Sequence, residues 1–536
     1  MKKILFSLMF MSAVAAYSQP KDEPVMSGQY EPNWENLAAW DCPDWFRDAK
    51  FGIWAHWDPQ CQAEAGDWYA REMYYPGWKQ DHHRKNFGDP KEYGYKELCR
   101  DWKADKWDPE ELIRLYKSAG ARYFMAMGNH HDNFDCWDSP YQEWNSMRMG
   151  PMKDIVGGWA KMCEKYGLKL GVSFHASHTW TWMEPSTKFD GNLTREDGYT
   201  KNEDGSYKYW WHGLDPQELY AQNHPHSDGW EKSGSIHREW GWQNGAAQPS
   251  EHFKRKFQNR VLQCINAYNP AIIYFDDTVL PFWGCDESIG LNILTHYYNH
   301  SAAKDGTGKA EVVVTGKILE DKHKKAFMWD VERGVPDRCQ DLPWQTCTCL
   351  GNWHYERGIY NRNAYKSADH VVRMLVDIVS KNGNLLLSVP VRGNGEIDER
   401  ERECVLGIKA WMDINGESIY GTRPWKVYGE GPLFESANPL NAQGFNEGIK
   451  YSAADVRYVQ KGNTIYATIM AWPQDTKFTF KALGQKATTN PGKIKNVKLL
   501  GGAKVPFKQS KDGLTVTLPA THPNEIAPVL AIELKK

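Results

Sequence analysis

The feature that most limits how this chain can fold is an alternation. Between about residues 40 and 420, short apolar runs recur with amphipathic stretches between them. The runs are KFGIWAHW (50–57), ARYFMAMG (121–128), LKLGVSFHA (168–176), PAIIYFDD (270–277), EVVVTGKI (311–318), AFMWDVE (326–332) and NLLLSVPV (384–391). Near-continuous apolar runs of this length fit strands buried on both faces, as in a parallel sheet. The stretches between them read as helices. DPEELIRLYKSAGA (108–121) opens on Asp108 as an N-cap, has Pro109 in the first turn and stops near Gly120. MKDIVGGWAKMCEKYG (152–167) and YKSADHVVRMLVDIVSKNG (365–383) place apolar residues three and four apart and also end at glycine. The alternation predicts a (β/α) TIM-like barrel with seven identifiable strands.

After NGESIYGTRPW (415–425) the period changes. DVRYVQKGNTIYATIMAW, TKFTFKAL, NVKLLGG, LTVTLPA and VLAIELKK are short alternating strands separated by turn residues, which predicts a C-terminal antiparallel β-sandwich. The expected division is a signal peptide at 1–18, a catalytic barrel at 19–425 and the sandwich at 426–536. A polar, aromatic excursion over about 184–250 interrupts the barrel and reads as a functional loop or lid. Within it, Asp204-Gly205 signals a hairpin turn.

The N-terminus, MKKILFSLMFMSAVAAY, has two lysines, an apolar stretch too short to span a bilayer, then small residues. It predicts a secretory signal cut near Ser18 or Gln19 and a periplasmic or secreted protein. No cysteine follows closely enough for a lipid anchor, and no other stretch reaches the roughly 20 apolar residues of a membrane helix. A net charge of −3 gives no pull toward nucleic acid or anionic membrane. Eleven cysteines scattered through a long chain do not make a disulfide scaffold; mostly free thiols are expected, with one or two bridges open. The 26 Trp and 27 Tyr offer flat apolar faces with polar edges, which suit either a tryptophan-rich core or sugar rings.

Barrel chemistry sits where strands end. Here the strand ends carry His56, then His130 and His131, then His175 and His178, then Asp276 and Asp277, then Glu332. Neighbours on a strand point to opposite faces, so the adjacent His130 and His131 are a poor pair for one ion. A kink at the strand end would instead let both imidazoles meet vicinal hydroxyls, each donating and accepting. One working histidine beside one packed histidine, and a histidine-rich metal centre, are the other readings. Asp330 and Glu332 are two apart and share a strand face. A glycosidase needs one carboxylate as nucleophile and one carboxylic acid as proton donor, roles open to Asp276 and Glu332.

Several motifs, taken in order, resemble the α-L-fucosidase family, glycoside hydrolase family 29. WFRDAKFGIWAHWD resembles its opening strand with a sugar-binding histidine, here His56. GDWYARE stands where the family has Glu-Trp-Tyr, giving Asp67 and Trp68. NHHDNFDCWDS resembles the K-H-H-D-G-F stretch, giving His130 and His131 as hydroxyl ligands. YFDD resembles the W-F-D nucleophile motif, which falls on Asp276 rather than Asp277. KNGNLLLSVPVRGNGEI and WMDINGESIYGTRPW match two long family stretches. The acid/base aligns best with Glu332 in VERGVP, with Asp337 as the fallback.

The resemblance implies a retaining double displacement: Asp276 attacks, and Glu332 donates and then accepts a proton, its pKa raised by Trp329 and Trp344. His56, Asp67, Trp68, His130, His131 and His175 would grip the sugar. It implies no cofactor and no metal, and a glycan ending in α-L-fucose. Two departures matter. The family's Tyr-Ser is replaced in SFHASHTW, which brings His175 to the sugar, and the Glu of W-E-T-C is Gln345. An α-L-galactosidase on an algal or plant galactan is therefore an alternative. A non-catalytic sugar-binding protein and a metallohydrolase are alternatives of other classes.

Overall fold

Eight parallel strands close into a barrel: β1 (Phe51–Ala55), β2 (Tyr123–Asn129), β3 (Lys169–Phe174), β4 (Ile272–Phe275), β5 (Val313–Gly316), β6 (Met328–Glu332), β7 (Trp344–Cys349) and β8 (Gly383–Ser388). Each pairs with its sequence neighbours, and β8 closes on β1. The structure is a computed structural model and describes residues 20–232, 245–276, 280–306, 308–435 and 444–535. The expected signal at 1–18 and Asp277 lie outside the described residues.

The strand absent from the sequence-based expectation is β7. Its sequence, WQTCTC, lacks the Val/Ile signature, yet every residue in it is buried. Its inward side chains are polar because they serve one another across the barrel. The Tyr123 hydroxyl donates to Gln345 Oε1 at 3.0 Å, and the Gln345 amide donates to Asp330 Oδ2 at 2.7 Å. All eleven cysteines are free, so no bridge forms.

Helices cover the outside, for the reasons the sequence suggests. Pro109–Ser118 is capped by Asp108, whose side chain accepts the Glu111 N–H, and Ile155–Tyr166 by Asp154 accepting from Gly157. One connection departs from the pattern. Among the described residues no helix separates β6 from β7; residues 333–343 cross as a loop. A segment from the far end of the chain packs there instead. Gly444 bridges Glu332, the Phe445 N–H donates to the Glu332 carbonyl at 2.9 Å, and Glu447 pairs with Arg333 at 2.8 Å and Lys366 at 3.0 Å.

The C-terminal region holds two antiparallel sheets. The first contains β9 (Arg423–Glu430), β10 (Val456–Lys461), β11 (Thr464–Ile469), β13 (Ile494–Leu499) and β16 (Val529–Leu534). The second contains β12 (Lys477–Phe480), β14 (Phe507–Gln509) and β15 (Leu514–Thr517). Val456, Ile465, Val497 and Ile532 from one sheet share a core with Phe480, Leu514 and Val516 from the other. In the long excursion the expected hairpin forms: Lys201 bridges Tyr207 around Gly205, whose φ of +82° suits glycine.

Candidate active site

The barrel delivers its polar residues in a ring. His56, His130, His175, Asp276 and Lys317 are each the first residue after β1 to β5, and Glu332 is the last residue of β6. A bulge sets the histidine doublet. The register of β2 on β3 slips between Met127 and Asn129. Gly128 is needed at the slip, because a Cβ there would lie 2.9 Å from the Ser173 carbonyl. Beyond it the Asn129 side chain accepts the His175 N–H at 3.2 Å and donates to Asp135 at 2.9 Å. Asp135 is in turn locked by buried Arg260 from the helix Glu251–Tyr268.

The chain turns at this strand end, as the kinked reading of the doublet requires. The ring centroids of His130 and His131 are 4.3 Å apart, and both rings border the site because the strand has already turned. They have different partners. His131 donates from Nδ1 to the His175 carbonyl at 2.7 Å, leaving Nε2 3.4 Å from Asp276 Oδ2. His130 meets Gln60 at 3.2 Å and lies 3.6 Å from Asp67.

Asp276 is the best-supported carboxylate. His175 Nδ1 donates to its Oδ2 at 2.9 Å, the Lys317 ammonium pairs with Oδ1, and the Tyr274 hydroxyl is 3.4 Å away. Burial pushes its pKa up, but Lys317, His175 and His131 overcome this and hold it well below the usual carboxylate range. The same ammonium contacts Glu332 Oε2 at 2.7 Å. Two carboxylates that share one ammonium have their nearest oxygens within about 6 Å, twice a hydrogen-bond length. Burial pulls the Lys317 pKa down, yet Asp276 and Glu332 raise it well above the ordinary lysine value, so it is a fixed cation.

Glu332 does not have the expected indole surround. Strand pleating puts Met328, Asp330 and Glu332 on the inner face of β6 and turns Trp329 outward, where the Lys324 ammonium stacks on it. Trp344 is at the other end of its strand, donating to the Lys381 carbonyl. Asp330 lies beneath Glu332, buried, and burial pushes its carboxyl up to about 7 against the pull of Cys347 and Gln345. Gln345 therefore has a local reason: its amide donates to a carboxyl that a glutamate would repel. Asp337 is away from this face, beside Arg338 at 3.3 Å and in a groove with Phe445 and Arg457.

Across the mouth lies a second carboxylate–cation–carboxylate group. His354, fully buried after β7, donates from Nδ1 to Asp67 at 2.6 Å and from Nε2 to Asp58 at 3.1 Å. Burial pulls its pKa down, but the two aspartates lift it to about 10, so the ring is an imidazolium. Gln60 joins Asp58 to His130. By contrast, burial holds His56, His130 and His175 below the ordinary histidine value, so these rings are neutral near pH 7. His56 bonds Ser388 at 2.9 Å and packs at a tilt against Trp54, ring centroids 3.9 Å apart. Trp68, at a left-handed φ of +61°, packs its ring on Trp182.

The ligand atoms of His130, His131, His175 and Asp276 all lie within 4.8 Å of one another, a spacing that fits a metal ion. Charge argues against one. Asp276 already carries the Lys317 ammonium, so an added dication would stand beside a fixed cation.

A family model described as alpha-L-fucosidase matches residues 17–417, and one described as alpha-L-fucosidase C-terminal domain matches residues 450–534. The chain belongs to the α-L-fucosidase family. Among curated relatives of this glycoside hydrolase family, human tissue alpha-L-fucosidase is 24% identical over 99% of this chain and 96% of its own, and the Branchiostoma floridae alpha-L-fucosidase is 24% identical over 97% and 96%. The Thermotoga maritima alpha-fucosidase structure with a mechanism-based inhibitor superposes with a TM-score of 0.68 at 23% identity, covering 94% of this chain and all of that one. At that identity it supports the shared fold.

Lys317, His354, Asp58 and Gln60 join the candidate site in the structure and were missed by sequence reasoning. The signal for Lys317 was available: it directly follows a buried strand, where a lysine has no solvent to reach. His354 had none, since it comes several residues after a strand that was itself unread.

Proposed function

We propose that this protein is an exo-acting, retaining α-L-fucosidase that removes terminal α-L-fucose from exported or extracellular glycans. The observation that carries the reading is the shared ammonium: Lys317 joins Asp276 and Glu332 across a gap compatible with the about 5–5.5 Å between carboxyl groups of retaining glycosidases. Asp276, ionised and held by three donors, attacks the anomeric carbon while Glu332 gives its proton to the leaving oxygen. Glu332 then takes a proton from the incoming water. When Asp276 becomes an ester and loses its charge, Lys317 keeps Glu332 as its counter-ion. Neutral His56 and His130, with Asp67, Trp68 and His131, hold the hydroxyls and fix the ring for attack. His175 acts mainly through Asp276, which it orients.

The test is hydrolysis of aryl α-L-fucoside and aryl α-L-galactoside side by side, with the first-formed sugar followed by NMR. Release of α-L-fucose as the initial anomer, at a rate well above the galactoside, is expected. An inverted first product rules out the double displacement, and turnover of neither glycoside rules out the activity. Export by the N-terminal signal is part of the same proposal. The mature protein should begin near Ser18 or Gln19, as mass spectrometry of the periplasmic fraction would show.

A further inference from the structure

On the outer side of the Asp67–Trp68 turn lies a cleft of ≈ 750 Å³ that the proposed reaction does not use. Its walls come from the loops after β1 and β7, the same two that place Asp67 and His354 inside the mouth. These loops are stitched by an antiparallel bridge between Ala65 and Glu356 and by the Gly66 N–H donating to the Tyr355 carbonyl at 3.0 Å. At its rim stands Trp78, 58% exposed and the only tryptophan among the described residues that is largely open to solvent. Its neighbour Lys79 reaches back to donate to the backbone carbonyl of Asp67. The cleft is thus mechanically continuous with the turn that faces the sugar.

The chemistry of the walls points to a neutral polyol. Charges in the cleft are already matched: Glu64 with Arg357 at 2.8 Å, Glu72 with Lys79, and Glu356 with Arg362 at 3.3 Å. Three carboxylates against three cations leave no net attraction for an acidic glycan, a nucleic acid or a charged peptide. Planar carboxylates, guanidinium groups and the Asn352 amide, set beside an exposed indole face, supply hydroxyl partners and a stacking surface together. We propose that this cleft binds a second, neutral sugar unit of the same glycan whose terminal residue occupies the barrel mouth. The identity of that glycan rests on the fucosidase reading; the cleft itself does not.

Steady-state kinetics of Trp78→Ala on two substrates tests this. For a neutral oligosaccharide ending in α-L-fucose, KM should rise about five- to tenfold at unchanged kcat, the loss of one stacked ring. For aryl α-L-fucoside both constants should stay at the parental values, and Trp78→Phe should recover most of the oligosaccharide KM. Equal changes on both substrates, or none on either, overturn the inference. So does a dimer that dissociates on substitution while oligosaccharide kinetics stay the same, since Trp78 would then serve a second copy of the chain. Calorimetric titration of Asp276→Asn with the oligosaccharide and with free fucose separates the two readings. If the parent protein cleaves neither fucoside, the function falls while the cleft is still judged by whether Trp78→Ala weakens the oligosaccharide alone.

Discussion

Two carboxylate–cation–carboxylate groups face each other across the barrel mouth, and they differ in how far water reaches them. In the Asp276–Lys317–Glu332 group, every side chain keeps 12 to 17% of its surface open. In the Asp58–His354–Asp67 group, His354 and Asp58 are sealed at 0% and only Asp67, at 11%, touches the site. Charges excluded from water interact more strongly and lose more when a partner is removed. The sealed group therefore acts as a brace for Asp67. The open group leaves both its carboxylates and the ammonium between them within reach of a bound molecule.

The most severe way to break this comparison is at Asp276. Asp276→Asn should lower kcat by more than about 10⁴-fold while circular dichroism is unchanged, because the attacking atom is gone. Next comes Glu332→Gln, expected to cost about 10²- to 10⁴-fold on glycans with poor leaving groups and far less on activated aryl fucosides. Asp337→Asn should have little effect; a larger loss there than at Glu332 would reassign the acid. Lys317→Met should lower kcat by about 10²-fold. It should also move the acid limb of the pH–rate profile upward, because two carboxylates without the ammonium must share a proton. An unchanged profile would mean that Lys317 does not set their charge.

On the sealed side the expected effects are smaller in rate and larger in stability. His354→Gln should raise KM about tenfold and cost about 3 kcal/mol, leaving two buried carboxylates without their cation. The pH dependence follows from the raised pKa. The imidazolium's stabilisation is complete below the unfolded value of 6.5 and is lost as pH rises through about 10. Urea melts at pH 6, 8 and 10.5 should show that loss in the parent and not in the variant. The smallest effect on rate is expected at Asp330. Between 3.8 and about 7 the folded protein keeps a proton that the unfolded chain has released, so stability falls as pH rises through that window. Asp330→Asn should flatten that slope.

The contrast also explains what the sequence made legible. Seven strands stood out because Val, Ile, Leu and aromatic runs bounded by turns are the signature of double-sided burial. The eighth did not, since Gln345 and Cys347 face an unusually polar barrel interior, where both contact Asp330. The open group was half visible: Asp276 and Glu332 are carboxylates at strand ends. Lys317 was passed over because lysine is read as solvent-facing. The sealed group was almost invisible, because His354 comes from a loop whose place depends on that eighth strand. The β2 bulge at Gly128, which decides how the histidine doublet points, is a tertiary register shift with no local marker beyond one glycine.

The segment at 444–447 that packs where a barrel helix is missing makes the last strand end of the open group a joint product of distant parts of the chain. The Glu332 carbonyl is tethered by Phe445, and the next residue, Arg333, by Glu447. A shortened gene ending after β9 would therefore not yield a minimal barrel enzyme. It would release the backbone that aims Glu332, and a hybrid carrying a foreign tail would inherit the same defect unless that tail brought its own clasp.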